Sequence, residues 1–507
     1  MAKSNGGIIG PDNIPTGPLG TAGGVWRLQD ATKYQGEGLW PIVTGITYPV
    51  ANSLRFNDGS SDNLTKTGST GDSRRIFTHS VWVKRSTVSK TDADMIMNSA
   101  IDENNQYYFE LEGNSVGDDN DIRIRQLSSG SVNTLIKTSA SFRDVSAWYH
   151  IVVAVDTTQA TASDRIKLYV NGSQITAFDS STYPSQNTDM QINTTSYTTH
   201  IGKRNNNSNY YDGYMSEFVF IDGQQLTPSS FGETDTVSGN WKPKNVSGLT
   251  FGTNGFYLQF QNSGALGTDS SGNANNFTVN NLTSVDQSTD TPTNNFATMN
   301  PLIPQNPSSS WIFSNGNTTT TSVNTVSIAL STLGFSKGKW YWEVKVGEEV
   351  PAGLMVGIAK EGITINSAYL GQDAFGYAYF VTGNKYNNGN QGAYGEAMTN
   401  GDIISVAYDA DNGTIWFARN GTWQNSATQT QIENGTTTNS AFSGLDTTAT
   451  YFFSLGNGGS TYTNYANFGS PPYAANGYSD GNGFGDFSYA LPTGYYALNT
   501  QNINFQG

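Results

Sequence analysis

The chain has 507 residues, enough for roughly 2–4 domains, and sets 26 Lys and Arg against 41 Asp and Glu for a net charge of −15. That balance argues against a nucleic-acid face, which needs clustered cations. The lack of cysteine excludes disulfides and thiolate metal sites, and no apolar run approaches the ~20 residues of a membrane helix. Charged residues are only 13% and aromatics 12%. Gly, Asn, Ser and Thr fill the gap, so strand formers alternate with small polar turn residues and no long stretch keeps a helical period. The expected class is all-β.

Residues 1–45 form a Gly- and Pro-rich arm that carries Trp26, Leu28, Tyr34, Leu39 and Trp40 ahead of Pro41. Apolar anchors in an otherwise polar segment predict an extended arm that docks on a partner and orders there. The arm has no apolar signal-peptide core, which predicts synthesis in the cytoplasm without signal-directed export.

Residues 46–240 read as a first globular unit. Ser53 to Phe56 opens it, and Phe77 to Lys84 alternates. Tyr107 to Leu111, Ile122 to Arg125 and Thr134 to Lys137 are further strands. His150 to Asp156 and Arg165 to Val170 make a hairpin that ends on Asn171-Gly172, a pair that reaches positive φ cheaply. His200 to Arg204, Tyr214 to Ile221 and a helical turn at Leu226 to Phe231 follow. Residues 241–305 are less regular and read as a connector. Phe256 to Phe260 is its best strand, and its aromatics (Phe251, Tyr257, Phe277, Phe296) predict packing on a neighbour. Residues 306–475 form a second unit with strands at Gly338 to Val346, Met355 to Ala359, Phe375 to Phe380, Tyr451 to Gly456 and Tyr465 to Gly469. Its hairpin, Ile403 to Tyr408 and Thr414 to Ala418, again ends on Asn-Gly, at 420–421. The same phrase used twice predicts two domains of one architecture. Trp342 and Trp416 are expected in the core. Residues 476–507 close the chain.

The sequence offers no catalytic constellation. His79, His150 and His200 all fall in expected strands, and there is no G-x-S-x-G elbow, no P-loop and no E-x-D-x-E strand. The expectation is a binding protein rather than an enzyme, with no required cofactor. Calcium is the exception to weigh: Asp118, Asp119 and Asp121 in the GDDND turn are hard oxygen ligands on a loop. Sugars call for aromatic faces beside amides and carboxylates on rim loops. Two loops have that vocabulary: Tyr210, Tyr211, Asp212 and Tyr214 in the first unit, and Tyr386, Asn387 and Tyr394 in the second.

The motifs SLRF, FTHSVWVKR, AWYHIVVAVD…RIKLYVNG, HIGKR and YYDGYMSEFVFIDGQQLTPSSF resemble the laminin-G/pentraxin-like, concanavalin-type jelly roll. GKWYWEVKV, MVGIA, FGYAYF, the 401–423 hairpin, YFFSLG and YANFG resemble a SPRY domain. The resemblances imply two concanavalin-like antiparallel β-sandwiches in tandem after the N-terminal arm. The wording of 241–305 and of FSYALPTGYYALNTQNI resembles structural proteins of tailed bacteriophages, cyanophages among them. That implies a virion location, with the arm on major capsid or tail proteins. It also implies host-surface polysaccharide as an outside ligand, and a homo-oligomer, a trimer being one form. The rival readings are a purely architectural capsid cement protein and a tail-spike polysaccharide depolymerase.

Overall fold

The structure, a computed structural model, describes residues 48–115, 118–235, 238–303, 310–347 and 352–506. The arm anchors from Trp26 to Trp40 lie outside the described residues, as do the side chains of Asp118 and Asp119.

The two Asn-Gly turns are the same device at atomic detail. Asn171 and Asn420 sit at φ 47° and 48°, followed by Gly172 at 81° and Gly421 at 75°. Two successive left-handed residues turn a hairpin with the twist that the sheet demands. Each Asn side chain then accepts a hydrogen bond from the start of its hairpin's first strand: His150 N at 2.8 Å and Ile403 N at 2.9 Å. Strand Tyr149–Asp156 pairs with Ile166–Val170, with Ile151, Val153 and Val155 opposite Val170, Leu168 and Ile166. Strand Ile403–Asp409 pairs with Thr414–Arg419, with Val406 and Tyr408 opposite Phe417 and Ile415.

Each hairpin sits in one sheet of a two-sheet sandwich. Among the described residues the first sandwich has two eight-stranded sheets. In one of them Ile76–Arg85 lies between Tyr149–Asp156 and Gly213–Asp222. The other runs through Ile122–Ser128, Asn105–Leu111, Asp94–Asp102 and Thr198–Ile201. The core between them is aliphatic and aromatic, with Val81, Phe109, Ile124, Val153 and Phe218 all buried. Among the described residues the second sandwich packs a nine-stranded sheet on a six-stranded one. Lys339–Val346 lies beside the hairpin strand, and Leu354–Lys360 lies between Tyr451–Gly458 and Gly376–Phe380. Trp342 is buried between Phe453 and Phe468, both 5.1 Å away and stacked. Trp416 is buried as well, but on the outer face of its sheet, beneath Ile432, Phe487 and Tyr495.

Residues 256–288 of the connector are woven into the first sandwich. Phe256–Leu258 pairs with Gly213–Asp222, Gln287–Ser288 with Ser53–Phe56, and Thr278–Asn280 with Asn63–Lys66. Strand Gly213–Asp222 makes the first of these pairings possible because it forks. A bulge between Ser216 and Val219 lets Met215 face Leu54 while Phe218 faces Leu258. The expected helical turn at Leu226 to Phe231 is a single 3₁₀ turn, Pro228–Ser230.

The two sandwiches meet along a polar seam. The end of the connector and the closing segment pair there: Ala297 N donates to Leu498 O and Thr500 N to Asn295 O, each at 2.9 Å. Tyr496–Ala497 lies parallel to Trp340 and Tyr341. Across the seam, Tyr214 OH donates to Gly316 O at 2.9 Å and Asn317 Nδ2 to Ser86 O at 2.7 Å.

Candidate functional site

Ser80 and His150 lie on neighbouring strands, with Ser80 Oγ 2.8 Å from His150 Nε2. A Ser–His contact is the start of a nucleophile only if the ring nitrogen accepts the hydroxyl proton. Here Trp241 Nε1 donates to His150 Nδ1 at 2.9 Å. Nδ1 is therefore the acceptor, and the neutral ring must carry its proton on Nε2 and donate it to Ser80. That tautomer cannot act as a base toward Ser80. Burial drives the His150 pKa down to about 3, so the ring is neutral. It lies stacked between Trp82 and Trp241. Gly172 lets Trp241 reach it, because a Cβ there would stand 2.6 Å from the indole. His79 is also a core residue. It stacks on Phe220 at 4.7 Å, both ring nitrogens are without hydrogen-bond partners, and burial lowers its pKa to about 3.

Glu217 stands at the fork of its strand, at φ 51°. It accepts hydrogen bonds from Tyr257 OH and, at 3.0 Å, from Tyr48 OH, and these two hydroxyls are 2.6 Å apart. Burial raises its pKa to about 7. A strained glutamate with a raised pKa resembles an acid catalyst, yet both of its tyrosine partners come from segments that it ties down. In the second sandwich, Glu343 likewise accepts from Ser488 N at 2.8 Å, Tyr489 N at 3.0 Å and Tyr341 OH at 2.8 Å. The two buried acids fasten chain segments.

The sugar loops read from sequence divide sharply. Tyr211, Asp212, Tyr214 and Tyr394 are buried, which corrects their assignment to a ligand face. Tyr211 OH donates to Lys84 O at 3.2 Å, and Tyr214 reaches across the seam. Asp212 is pushed well above the usual carboxylate range by burial, with Asp58 and Asp94 adding to the shift. Tyr394 packs edge-on against Tyr379 and Phe417. Tyrosines in a polar loop look like ligand platforms in sequence, but here their rings complete cores and their hydroxyls tie down backbone. Tyr210, Tyr386 and Asn387 remain partly exposed. Tyr386 packs beside Tyr369 and Phe380 at the root of an edge hairpin, Asn384–Tyr386 with Asn390–Ala393, whose outer strand is exposed throughout.

Of the candidate calcium ligands, Asp121 has its carboxylate 3.1 Å from Lys137 Nζ, so its charge is already compensated. Among the described residues no group of three or more His, Asp or Glu is placed to hold a metal ion.

A concavity of about 280 Å³ opens on the seam, lined from both sandwiches by Asn52, Ser284, Gln287, Pro471, Tyr473 and Asp486 among others. The sequence carries no signal for it, because its residues are spread from 52 to 486 and none belongs to a motif.

Residues 58–230 match the Concanavalin A-like lectin/glucanases superfamily, and residues 339–464 match the SPRY domain. The chain is 37% identical over 93 residues to the ATP-dependent RNA helicase DDX1 of Xenopus laevis. That stretch is 18% of this chain and 12% of the helicase, so the chain spans a small part of that relative. Among solved structures, the SPRY domain of human HERC1 is similar at 20% identity and a TM-score of 0.26, covering 31% of this chain and 91% of that one. A heptameric SAP-like pentraxin from Limulus polyphemus is similar at 14% identity and a TM-score of 0.24, covering 36% and 80%. The chain thus carries a concanavalin-like and a SPRY β-sandwich domain in tandem, lectin-like architecture that suggests a binding role.

Proposed function

We propose that this chain is a non-enzymatic structural protein of a tailed-phage virion, a capsid- or tail-attached appendage whose β-sandwiches bind glycan or protein on the host surface. One observation carries the reading. The two stretches whose wording resembles phage structural proteins, 241–305 and 487–503, meet in one junction. They pair at Ala297 with Leu498 and at Asn295 with Thr500, and they fix one sandwich on the other. A rigid two-domain unit suits an appendage that must hold its loops at a set distance from a particle. The tautomer of His150 and the fastening roles of Glu217 and Glu343 support a non-catalytic role. In this reading the N-terminal arm docks on major capsid or tail proteins, the chain assembles as a homo-oligomer, a trimer being one form, and no metal is required. The protein is made in the host cytoplasm and ends in the virion.

Immunogold electron microscopy of purified particles, with antibody against the second sandwich, tests this. Label on the capsid or on the tail supports the reading and chooses between the two. Particles free of the protein overturn it. The burial of Tyr211, Tyr214 and Tyr394 favours a second reading, a purely architectural cement protein. Particles lacking the protein would then lose stability while adsorbing to cells normally.

A further inference from the structure

The concavity on the seam has the construction of a binding site. Its volume of about 280 Å³ is at the small end for ligand pockets, and it lies between domains, where such pockets concentrate. Its width is fixed from below. Arg55, fully buried, donates through Nη1 to Pro471 O at 3.2 Å and through Nη2 to Val285 O at 2.7 Å, so one guanidinium holds both walls. Ser288 Oγ and Ser470 Oγ are 2.6 Å apart, and Thr289 Oγ1 donates to Gly469 O at 3.1 Å. A ligand would enter a preformed space and spend little on ordering it.

The lining has a definite chemistry. No Lys, Arg or His contributes to it among the described residues. Asn52, Ser263 and Ser284 make no side-chain hydrogen bond to another described residue. Gln287 uses Nε2 on Phe260 O at 2.6 Å and keeps Oε1 free. Asp486 accepts from Gly477 N at 2.9 Å on Oδ1 and keeps Oδ2 free. The groove therefore offers amide and hydroxyl groups that both donate and accept, plus two spare acceptors. Between them lie short apolar surfaces, Val285, Pro471 and Ala474, and the ring of Tyr473. That ring is held by Lys345 Nζ 5.0 Å from its centre and by Tyr465. Vicinal hydroxyls over a patch of C–H surface match this pattern. An anionic ligand matches it less well, since it would meet Asp486 where no Lys, Arg or His lines the groove.

We infer that the seam groove binds one neutral pyranose unit of an external saccharide. The inference rests on the binding role proposed above and assigns it to a place that neither sandwich has alone. The test uses the full chain and ligand-observed NMR with glucose, galactose, mannose and N-acetylglucosamine, with glucuronate as the charged control. Ser284→Trp fills the groove from an exposed rim position, and Asn52→Ala removes an amide that holds nothing else. Thermal melts of both variants check folding, and Tyr386→Ala at the edge hairpin is the comparison.

At least one neutral sugar should bind, glucuronate should not, and binding should weaken about tenfold or more in Ser284→Trp. Binding unchanged in Ser284→Trp and Asn52→Ala but lost in Tyr386→Ala would overturn the groove and leave a glycan-binding appendage in place. Equal binding of glucuronate would overturn the neutral assignment. If none of the neutral sugars binds while the chain still retains host-surface polysaccharide, the groove fails and the function stands. If that polysaccharide is not retained either, both glycan readings fail.

Discussion

Strand Ile76–Arg85 of the first sandwich and strand Lys339–Val346 of the second hold the same place, next to the central hairpin, yet they are stabilised by different physics. The first carries buried charge. Lys84 Nζ donates to Asp290 Oδ2 and Asn295 Oδ1, both at 2.7 Å, and Arg85 donates to Asp94 Oδ2 at 2.8 Å and to Asn120 Oδ1 at 2.9 Å. The second carries rings, with Trp340, Tyr341 and Trp342 fully buried and Glu343 as its one buried acid. All three histidines belong to the first sandwich. The difference is instructive because Lys84 and Glu343 do the same work. Each is a single buried charge that grips a distant segment, residues 290–296 in one case and 488–489 in the other. Rings supply most of the packing energy in the second sandwich. A buried charge contributes less net stability but accepts only one arrangement of its partners.

The largest effect should come from Trp342→Ala, at about 5 kcal/mol, since the indole is enclosed by two stacked rings. Urea unfolding followed by tryptophan fluorescence should show the loss; an unchanged midpoint would remove Trp342 from the core. Lys84→Met should cost about 4 kcal/mol, because it leaves the buried Asp290 carboxyl without its cation. Adding Asp290→Asn should recover much of that loss, whereas simple additivity of the two changes would mean that the pair carries no coupling.

Glu217 gives a pH-dependent contrast. Its carboxyl is raised to about 7 in the fold from an ordinary value near 4.5, so the folded state holds this proton more tightly than the unfolded chain. Its contribution is complete below about pH 4.5 and falls away as pH rises through about 7. Glu217→Gln should therefore be neutral at pH 4.5 and stabilising by roughly 3 kcal/mol at pH 8. Paired urea titrations at the two pH values measure this, and a gain that is the same at both would exclude titration as the cause. The smallest effect is expected at His79, whose two ring nitrogens are buried without partners. His79→Phe should raise stability by about 1 kcal/mol at pH 7. Because the His79 pKa is lowered to about 3, its contribution is present above about pH 6.5 and is lost as pH falls. The variant's advantage should grow on acidification, and an advantage that shrinks would mean that His79 is not held neutral.

The hairpins were legible in the sequence because each return strand ends on Asn-Gly, a local instruction that turns the chain into the short strand after it. The tandem architecture followed from finding that instruction twice. Strands Thr319–Ser322 and Phe178–Thr182 were not legible. TTTS and FDSST have the same composition as the loops of this chain, and only pairing with residues 462–465 and 135–138 makes them strands. The weave of 256–288 into the first sandwich was hidden for a related reason. Its first strand, Phe256–Leu258, depends on the bulge at Glu217, and a positive φ at a glutamate leaves no mark in the sequence. The binding loops misled because Tyr211, Tyr214 and Tyr394 share their surroundings in sequence with Tyr210 and Tyr386, and burial alone separates them. The seam groove could not be read at all, because it exists only once both sandwiches have docked.

The junction of 294–299 with 497–502 also fixes an order of events. A ribosome delivers Trp416 and Tyr341 well before Phe487, Tyr495 and Ala497, the residues that cover them. Until those arrive, the second sandwich shows a bare aromatic flank to solvent, and the pairing partner of Asn295 and Ala297 is missing. Translation would thus expose a sticky intermediate late in synthesis, and a message cut short after residue 480 would yield a product recognisable to chaperones and proteases by that flank. In this chain, the second sandwich is finished only by the segment that carries Phe487, Tyr495 and Ala497.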